Sequence, residues 1–269
     1  MTATLPQEMQ SHTYPLMYEV EGSHWWFVGR RLILESFLRQ IAEKFKQEKV
    51  NVKDTFNSLQ DEDNGSLQIL DVGCGTGANL EMLAKFGAAT GVDVSEDALE
   101  FCRKRGLERV KQGLAEDLPF NSESFDLVTA LDVVEHLDDD LAGLREMCRV
   151  LQKNGRALIF VPAFMFLWGV QDDVSNHRRR YTKKQIVAQL EKASFEIERV
   201  TYANLTFFAP VFLGRTLMKI TGFRPESENN LTLTSINGFL GQLFGAERHF
   251  LRFTNFPFGV SIVVVARKV

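Results

Sequence analysis

The chain has 269 residues, with 31 Lys and Arg against 35 Asp and Glu, a formal charge of −4. Hydrophobic residues make up 45% and charged residues 25%, which excludes a disordered tail, a collagen and a coiled coil and describes a globular protein with apolar side chain enough for a full core. Three cysteines, Cys74, Cys102 and Cys148, with no C-x-x-C pair, read as reduced thiols of a cytoplasmic protein, not as a disulfide frame or a zinc site, and no metal site is expected.

In chain order, the opening MTATLPQEMQ has neither a basic start nor an apolar run, so no secretory signal is expected. Leu32, Ile33, Phe37, Leu38, Ile41 and Phe45 recur at helical spacing and predict an amphipathic N-terminal helix over 27–45. The charged stretch 46–66 ends in Asn-Gly-Ser and reads as a linker. Beyond it, short apolar runs predict strands at 67–72, 88–93, 109–112, 125–130, 155–161, 195–202 and 259–267. Helical patterns between them predict helices at 78–85, 96–105, 139–151 and 183–193. That alternation implies βαβ units and a doubly wound, mostly parallel α/β sheet covered on both faces. The uncharged runs are too short or too polar to cross a bilayer.

Phenylalanine is unevenly spread. Ten of the 22 Phe lie between residues 205 and 258, where uniform spreading would put four or five. A connection this long between the last two strands is expected to hold helices of its own or to be functional. The chain thus divides into an N-terminal lid helix and linker over 1–66, an α/β core over 67–204, a Phe-rich helical insert over 205–258 and the final core strand over 259–269.

The chemistry begins at Asp71-Val72-Gly73-Cys74-Gly75-Thr76-Gly77, a buried strand running into a glycine-rich turn. Such turns let a ligand lie against bare amides at a helix N-terminus. By itself the turn is compatible with nicotinamide or flavin cofactors, or with purely structural use. Its third glycine comes one residue early for the dinucleotide fingerprint G-x-G-x-x-G, and the Asp71 carboxylate would repel a pyrophosphate but attract an ammonium. Asp93 ends the second strand 22 residues later, where an acid can accept both ribose hydroxyls.

With the segments GLAEDLPF from Gly113 and FDLVTALDVVEHL from Phe125, these motifs resemble the class I S-adenosylmethionine (SAM) dependent methyltransferases, specifically the small-molecule group that includes the quinone methyltransferases. The resemblance implies a seven-stranded Rossmann-like sheet whose last strand is antiparallel. It also implies that Asp71 and the backbone of Gly73, Cys74 and Gly75 hold the methionine part of SAM, Asp93 the ribose, Val94 and Ala115 the adenine, and the Leu131 carbonyl the ammonium. Where the family often has Asp this chain has Leu114, which shifts adenine recognition to Glu116.

SAM already carries an activated methyl group, so the enzyme mainly aligns the acceptor with it, a service worth about 7–11 kcal/mol. A base helps a hydroxyl acceptor. His136, after the fourth strand, is the candidate, and some O-methyltransferases of the family carry a His at the matching position; the alternative is that it caps the following helix. The segment SHWWFVGRR from Ser23 reads as a pocket lid or as aromatic anchoring of the first helix, with Arg30 suited to the SAM carboxylate. HRRRYTKK from His177 reads as an acceptor site for phosphate or carboxylate involving His177 and Tyr181, or as a solvated helix start. The Phe-rich insert fits a lipid-like acceptor and contact with a membrane surface, or else packing on the sheet or on a second copy.

The expected function is methyl transfer to an oxygen of a small or lipid-like acceptor, with C- or N-methylation of a polar metabolite or sugar, or a dehydrogenase-like nucleotide module, as alternatives. Nucleic acid is not expected as a partner, given the negative charge and the absence of an Asn/Asp-Pro-Pro-aromatic signature after the fourth strand. The oligomeric state is left open.

Overall fold

The computed structural model describes residues 13–55, 66–225 and 234–269. Among them, strands β1 (Leu67–Val72), β2 (Gly87–Asp93), β3 (Val110–Gln112), β4 (Phe125–Leu131), β5 (Leu151–Pro162), β6 (Phe195–Ala203) and β7 (Ser261–Lys268) form one seven-stranded sheet in the order β3-β2-β1-β4-β5-β7-β6. β7 runs antiparallel between β5 and β6, and the other neighbouring pairs are parallel. The expected sheet is therefore present, each strand within a few residues of its expected place. Its middle strands are apolar on both faces, as helix-covered parallel strands must be: Ile69, Leu70, Val128, Leu158 and Val264 are fully buried.

Helices α1 (Thr13–Val20) and α2 (Trp25–Thr55) precede the sheet. Connecting or flanking the strands are α3 (Ala78–Leu83), α4 (Glu96–Lys104), α5 (Asp140–Val150), α6 (Val170–Val174) and α7 (Lys183–Lys192). Local sequence explains several starts. Asp139 accepts the Ala142 N–H at 2.9 Å to cap α5, and Thr182 and Gln185 form a reciprocal capping box at α7.

The insert holds α8 (Phe208–Thr221), α9 (Asn237–Gly245) and α10 (Glu247–Leu251). α9 lies along α2 because both contacts use glycine: a Cβ on Gly29 would sit 2.5 Å from Phe244, and one on Gly245 would sit 2.5 Å from Leu32. Phe244 is fully buried there.

One boundary differs from the sequence reading. α2 does not end at Phe45 but continues through 55, across the first half of the expected linker; 56–65 lie outside the described residues. The start of the extension is tied to the sheet by a tertiary ion pair. Arg156 of β5, only 2% exposed, donates to Glu48 of α2 at 2.9 and 2.5 Å and to Glu198 of β6 at 3.1 Å, while Lys44 reaches Glu198 at 2.9 Å. A buried guanidinium needs such partners.

Candidate active site

At the C-terminal edge of the parallel strands the loops after β1, β2, β3 and β4 open onto a single cavity of about 840 Å³. This is where open α/β sheets bind ligands. One end is walled by Gly73, Cys74, Gly75, Asp93, Val94, Ala115, Glu116 and Leu131, so the structure brings most of the expected cofactor residues together. Gly73, Gly75 and Gly77 all have positive φ, at 66°, 53° and 92°, which explains why glycine recurs. A Cβ on Gly73 would strike Val133 at 2.5 Å and one on Gly77 would strike Leu107 at 2.8 Å, whereas a Cβ on Gly75 meets nothing within 4 Å. Asp93 accepts the Gly75 N–H at 2.8 Å and the Ser95 N–H at 3.0 Å, which fixes its carboxylate at the end of β2.

Asp71 stands apart from these residues, behind the cavity wall. It is buried, with Oδ1 accepting from the Thr129 hydroxyl at 2.6 Å and Oδ2 without a hydrogen-bond partner among the described residues. Burial pushes its carboxyl up to about 7, against the pull of the Thr129 hydrogen bond and the Arg30 charge. Because the folded state holds this proton more tightly than the unfolded chain, the stability it contributes is present below about pH 4 and is lost as pH rises to about 7. Asp71→Asn should lack that slope. Denaturation at pH 4, 6 and 8 should show the gap between the variant and the wild type moving in the variant's favour, by on the order of 1.4 kcal/mol per pH unit between those two limits. A gap that does not change with pH would contradict the assignment.

Arg30 reaches the wall from α2, with its guanidinium stacked 4.9 Å from the Trp26 ring and engaged with Asp132 and, at 3.2 Å, with Asn79. Its Nε has no hydrogen-bond partner among the described residues. Two buried polar atoms of opposite charge, Asp71 Oδ2 and Arg30 Nε, are thus left without protein partners among the described residues beside the glycine turn, as a zwitterionic amino-acid end requires. With the open space at Gly75 and the fixed Asp93 carboxylate, the residues fit SAM.

The N-terminal segment closes over the turn. Glu21, between α1 and α2, accepts from the Thr76 hydroxyl and pairs with Arg105 of the α4 C-terminus, which also donates to the Thr76 carbonyl at 2.9 Å. Trp25 packs 4.7 Å from Phe207, joining the start of α2 to the insert. The aromatic pair therefore lines the cavity and anchors the helix at once.

Phe207, Val211, Met218 and Leu240 of the insert line the same cavity, as do His136, His177, Arg180 and Arg215. His136 ends a short 3-10 turn, Val134–His136, after β4; it does not cap α5, since Asp139 does. Burial, then His177 and Arg178, pushes its pKa down to about 3. His177 lies against it with ring centroids 4.7 Å apart and nearly perpendicular. Tyr181, by contrast, is not brought to the cavity: its hydroxyl donates to Asp140 at 2.7 Å and burial raises its pKa. The basic run is divided in the same way. His177 and Arg180 face the cavity, whereas Arg178 pairs with Asp138 at 3.0 Å and Arg179 with Asp140 at 3.1 Å.

Three residues escape a reading of local motifs. Asp172 of α6 takes His177 at 2.8 Å, Arg180 at 2.7 Å and Arg215 at 3.3 Å; burial alone would raise its pKa, but these partners hold it below the usual range. Asp132, in the left-handed region at φ 61°, holds Arg30. Glu135 is fully buried, and neither carboxylate oxygen is hydrogen-bonded among the described residues; burial pushes its pKa well up. The adjacency Glu135-His136 was the one visible signal.

Residues 70–159 match the family described as "Methyltransferase domain". The uncharacterized methyltransferase YcgJ of Bacillus subtilis is 30% identical over 149 residues, 51% of this chain and 58% of that protein. A ubiquinone biosynthesis O-methyltransferase of Haemophilus ducreyi is 34% identical over 113 residues, 37% of this chain and 48% of its own length. The chain thus spans about half the length of these curated relatives. Among solved structures, a SAM-dependent methyltransferase of Thermotoga maritima, described as a possible histamine N-methyltransferase, superimposes with a TM-score of 0.55 at 19% identity, covering 97% of this chain and 100% of that one; this likeness speaks for the fold. The glycine turn and the fixed Asp93 lie within the matched methyltransferase domain, and with the strand order they bear out the resemblance to the class I SAM-dependent methyltransferases.

Proposed function

We propose that this protein moves a methyl group from SAM to a hydroxyl oxygen of a small, lipid-like acceptor. The observation that carries this reading is the single cavity whose walls combine the glycine turn with an apolar face of the insert, Phe207, Val211, Met218 and Leu240. When bound, SAM supplies a methyl carbon on a sulfonium, so that an O–C bond forms as the S–C bond breaks and the hydroxyl proton departs. The chain's part is to bind and align. Gly73, Cys74, Gly75 and Arg30 would hold the amino-acid end, with Asp71 behind the glycine turn adding its field, Asp93 the ribose, and Val94, Ala115 and Glu116 the adenine, with the Leu131 carbonyl beside the ammonium. His136 and His177 line the same cavity, and in this reading they would orient the acceptor's hydroxyl, with His177 taking up its proton. Tyr181 lies outside the cavity, its hydroxyl bonded to Asp140 at 2.7 Å.

The insert's outer surface supports a lipid-like acceptor. Leu213, Leu217, Ile220 and Phe223 are exposed in and just after α8, as are Phe239, Phe250 and Phe253 further on, with Ile220 at 78% and Phe253 at 84% exposure. Lys219, Arg224 and Arg252 lie exposed in the same segment. A surface of this kind suits peripheral contact with an anionic membrane, from which the acceptor would enter. No helix among the described residues is long and apolar enough to cross one.

The test is incubation of the protein with methyl-labelled SAM and, separately, lipid, aqueous-metabolite and RNA fractions of the source cells. Label is expected in the lipid fraction. Label confined to polar metabolites or to RNA would overturn the acceptor assignment.

A further inference from the structure

We propose that Glu135, His136 and His177 form a binding site for a divalent transition-metal ion in the cavity wall. One carboxylate oxygen and one ring nitrogen from each histidine all lie within 4.8 Å of one another. Ligands at about 2.0–2.2 Å from a common ion sit about 3 Å apart, so modest side-chain rotation completes the set. Both histidines line the cavity and Glu135 lies behind them.

Two independent observations point to an ion. The first is Glu135 itself. It is 0% exposed, neither of its oxygens has a hydrogen-bond partner among the described residues, and His177 Nε2 stands 3.9 Å away. A buried carboxylate left in this state is expensive, and a bound cation removes the cost.

The second is how the histidines are held. Asp172 Oδ1 lies 2.8 Å from His177 Nδ1, which places the proton on Nδ1 and leaves the Nε2 lone pair on the side of Glu135. Asp172 is gripped in turn by Arg180 and Arg215. His136 hydrogen-bonds the backbone at Asn176, so it too uses one nitrogen for anchoring and keeps the other. Metal-ligating histidines show this division, one nitrogen to a carboxylate or carbonyl and the other to the ion.

Two imidazoles and a carboxylate suit Fe²⁺, Mn²⁺, Co²⁺ or Zn²⁺ better than Mg²⁺ or Ca²⁺, which favour oxygen ligands. Three protein ligands leave coordination positions open, and the histidines put them on the acceptor's side of the wall. A hydroxyl bound there gives up its proton at a lower pH. This consequence rests on the methyl-transfer reading, but metal binding itself does not, and it is measured separately.

The full-length protein, stripped with chelator and dialysed, should be titrated with Co²⁺ while its visible absorption and heat of binding are followed. Uptake of one equivalent with a ligand-field band, displaced by Zn²⁺, is expected. Glu135→Gln and His177→Ala, checked for folding by circular dichroism, should each weaken binding at least ~10-fold, and Asp172→Asn should weaken it ~10–100-fold through loss of the histidine's anchor. His249→Ala, at an exposed histidine of α10, should change nothing. No stoichiometric uptake by the wild type, or uptake indifferent to the Glu135 and His177 substitutions, would overturn the site. SAM binding to the same sample is measured in parallel, and its absence would count against the methyl-transfer reading instead.

Discussion

Gly75→Arg is expected to lower SAM affinity at least ~100-fold, about 2.7 kcal/mol of binding free energy, while leaving a folded protein. Three facts about the position combine. Gly75 lies on the cavity wall, its φ is 53°, and an added Cβ meets nothing within 4 Å. The side chain therefore has room to exist without displacing core atoms, and the left-handed backbone costs only about 1–2 kcal/mol. Its room, however, is the cofactor's. A guanidinium there would occupy the volume beside Asp93, draw that carboxylate into an ion pair, and set a fixed positive charge against a cationic sulfonium. Gly73→Arg and Gly77→Arg differ in kind, because Val133 and Leu107 block even a Cβ, so those variants should lose stability first. Calorimetric titration with SAM together with thermal melting separates the cases. Unchanged SAM affinity in a folded Gly75→Arg protein would show that the glycine turn is not the cofactor site.

The contrast among these glycines also shows how far local sequence reaches. The sheet was legible because each strand is an apolar run between turn signals and each helix has its own period; β1 was placed to the residue at Leu67–Val72. The turn and Asp93 were legible because consecutive strand ends in a doubly wound sheet meet at one edge. α1 carries too short a pattern to stand out, and α2 beyond Phe45 meets the sheet through Glu48 and Arg156, partners 108 residues apart that no local pattern links. Tyr181 looked like a site residue because it adjoins Arg180, yet neighbours in an extended segment point opposite ways, and only Arg180 faces the cavity. Glu135 and Asp172 acquire meaning only once α6 has folded beside the exit of β4. No spacing rule links 135 to 177, since the 3-10 turn and α6 between them are tertiary choices.

Asp172→Ala is expected to be among the most damaging single substitutions to stability, although Asp172 belongs to no motif. Its carboxylate is fully buried and pairs with Arg180 and Arg215, themselves 5% and 8% exposed at the side chain, and with His177. Arg180 also donates to the Ala163 carbonyl at 2.8 Å, and Arg215 donates to the Leu167 carbonyl, so both guanidiniums stay in place when the acid is removed. Removing one member of a buried ion cluster leaves uncompensated charge and typically costs about 3–5 kcal/mol. For a domain of this size that lowers the melting temperature by roughly 6–20 °C. The exposed pair Arg267 and Glu196, 2.5 Å apart and 34% and 55% exposed, provides the comparison. Glu196→Ala should cost no more than about 1 kcal/mol, because water and salt already screen that pair. Asp172→Asn should fall between them, since the amide oxygen still accepts from one arginine while the negative charge is gone. Equal melting temperatures for the Asp172→Ala and Glu196→Ala proteins would mean that the arginines are neutralised by something other than Asp172, and the account of α6 as the element that binds α8 and the basic run to the cavity would fail with it.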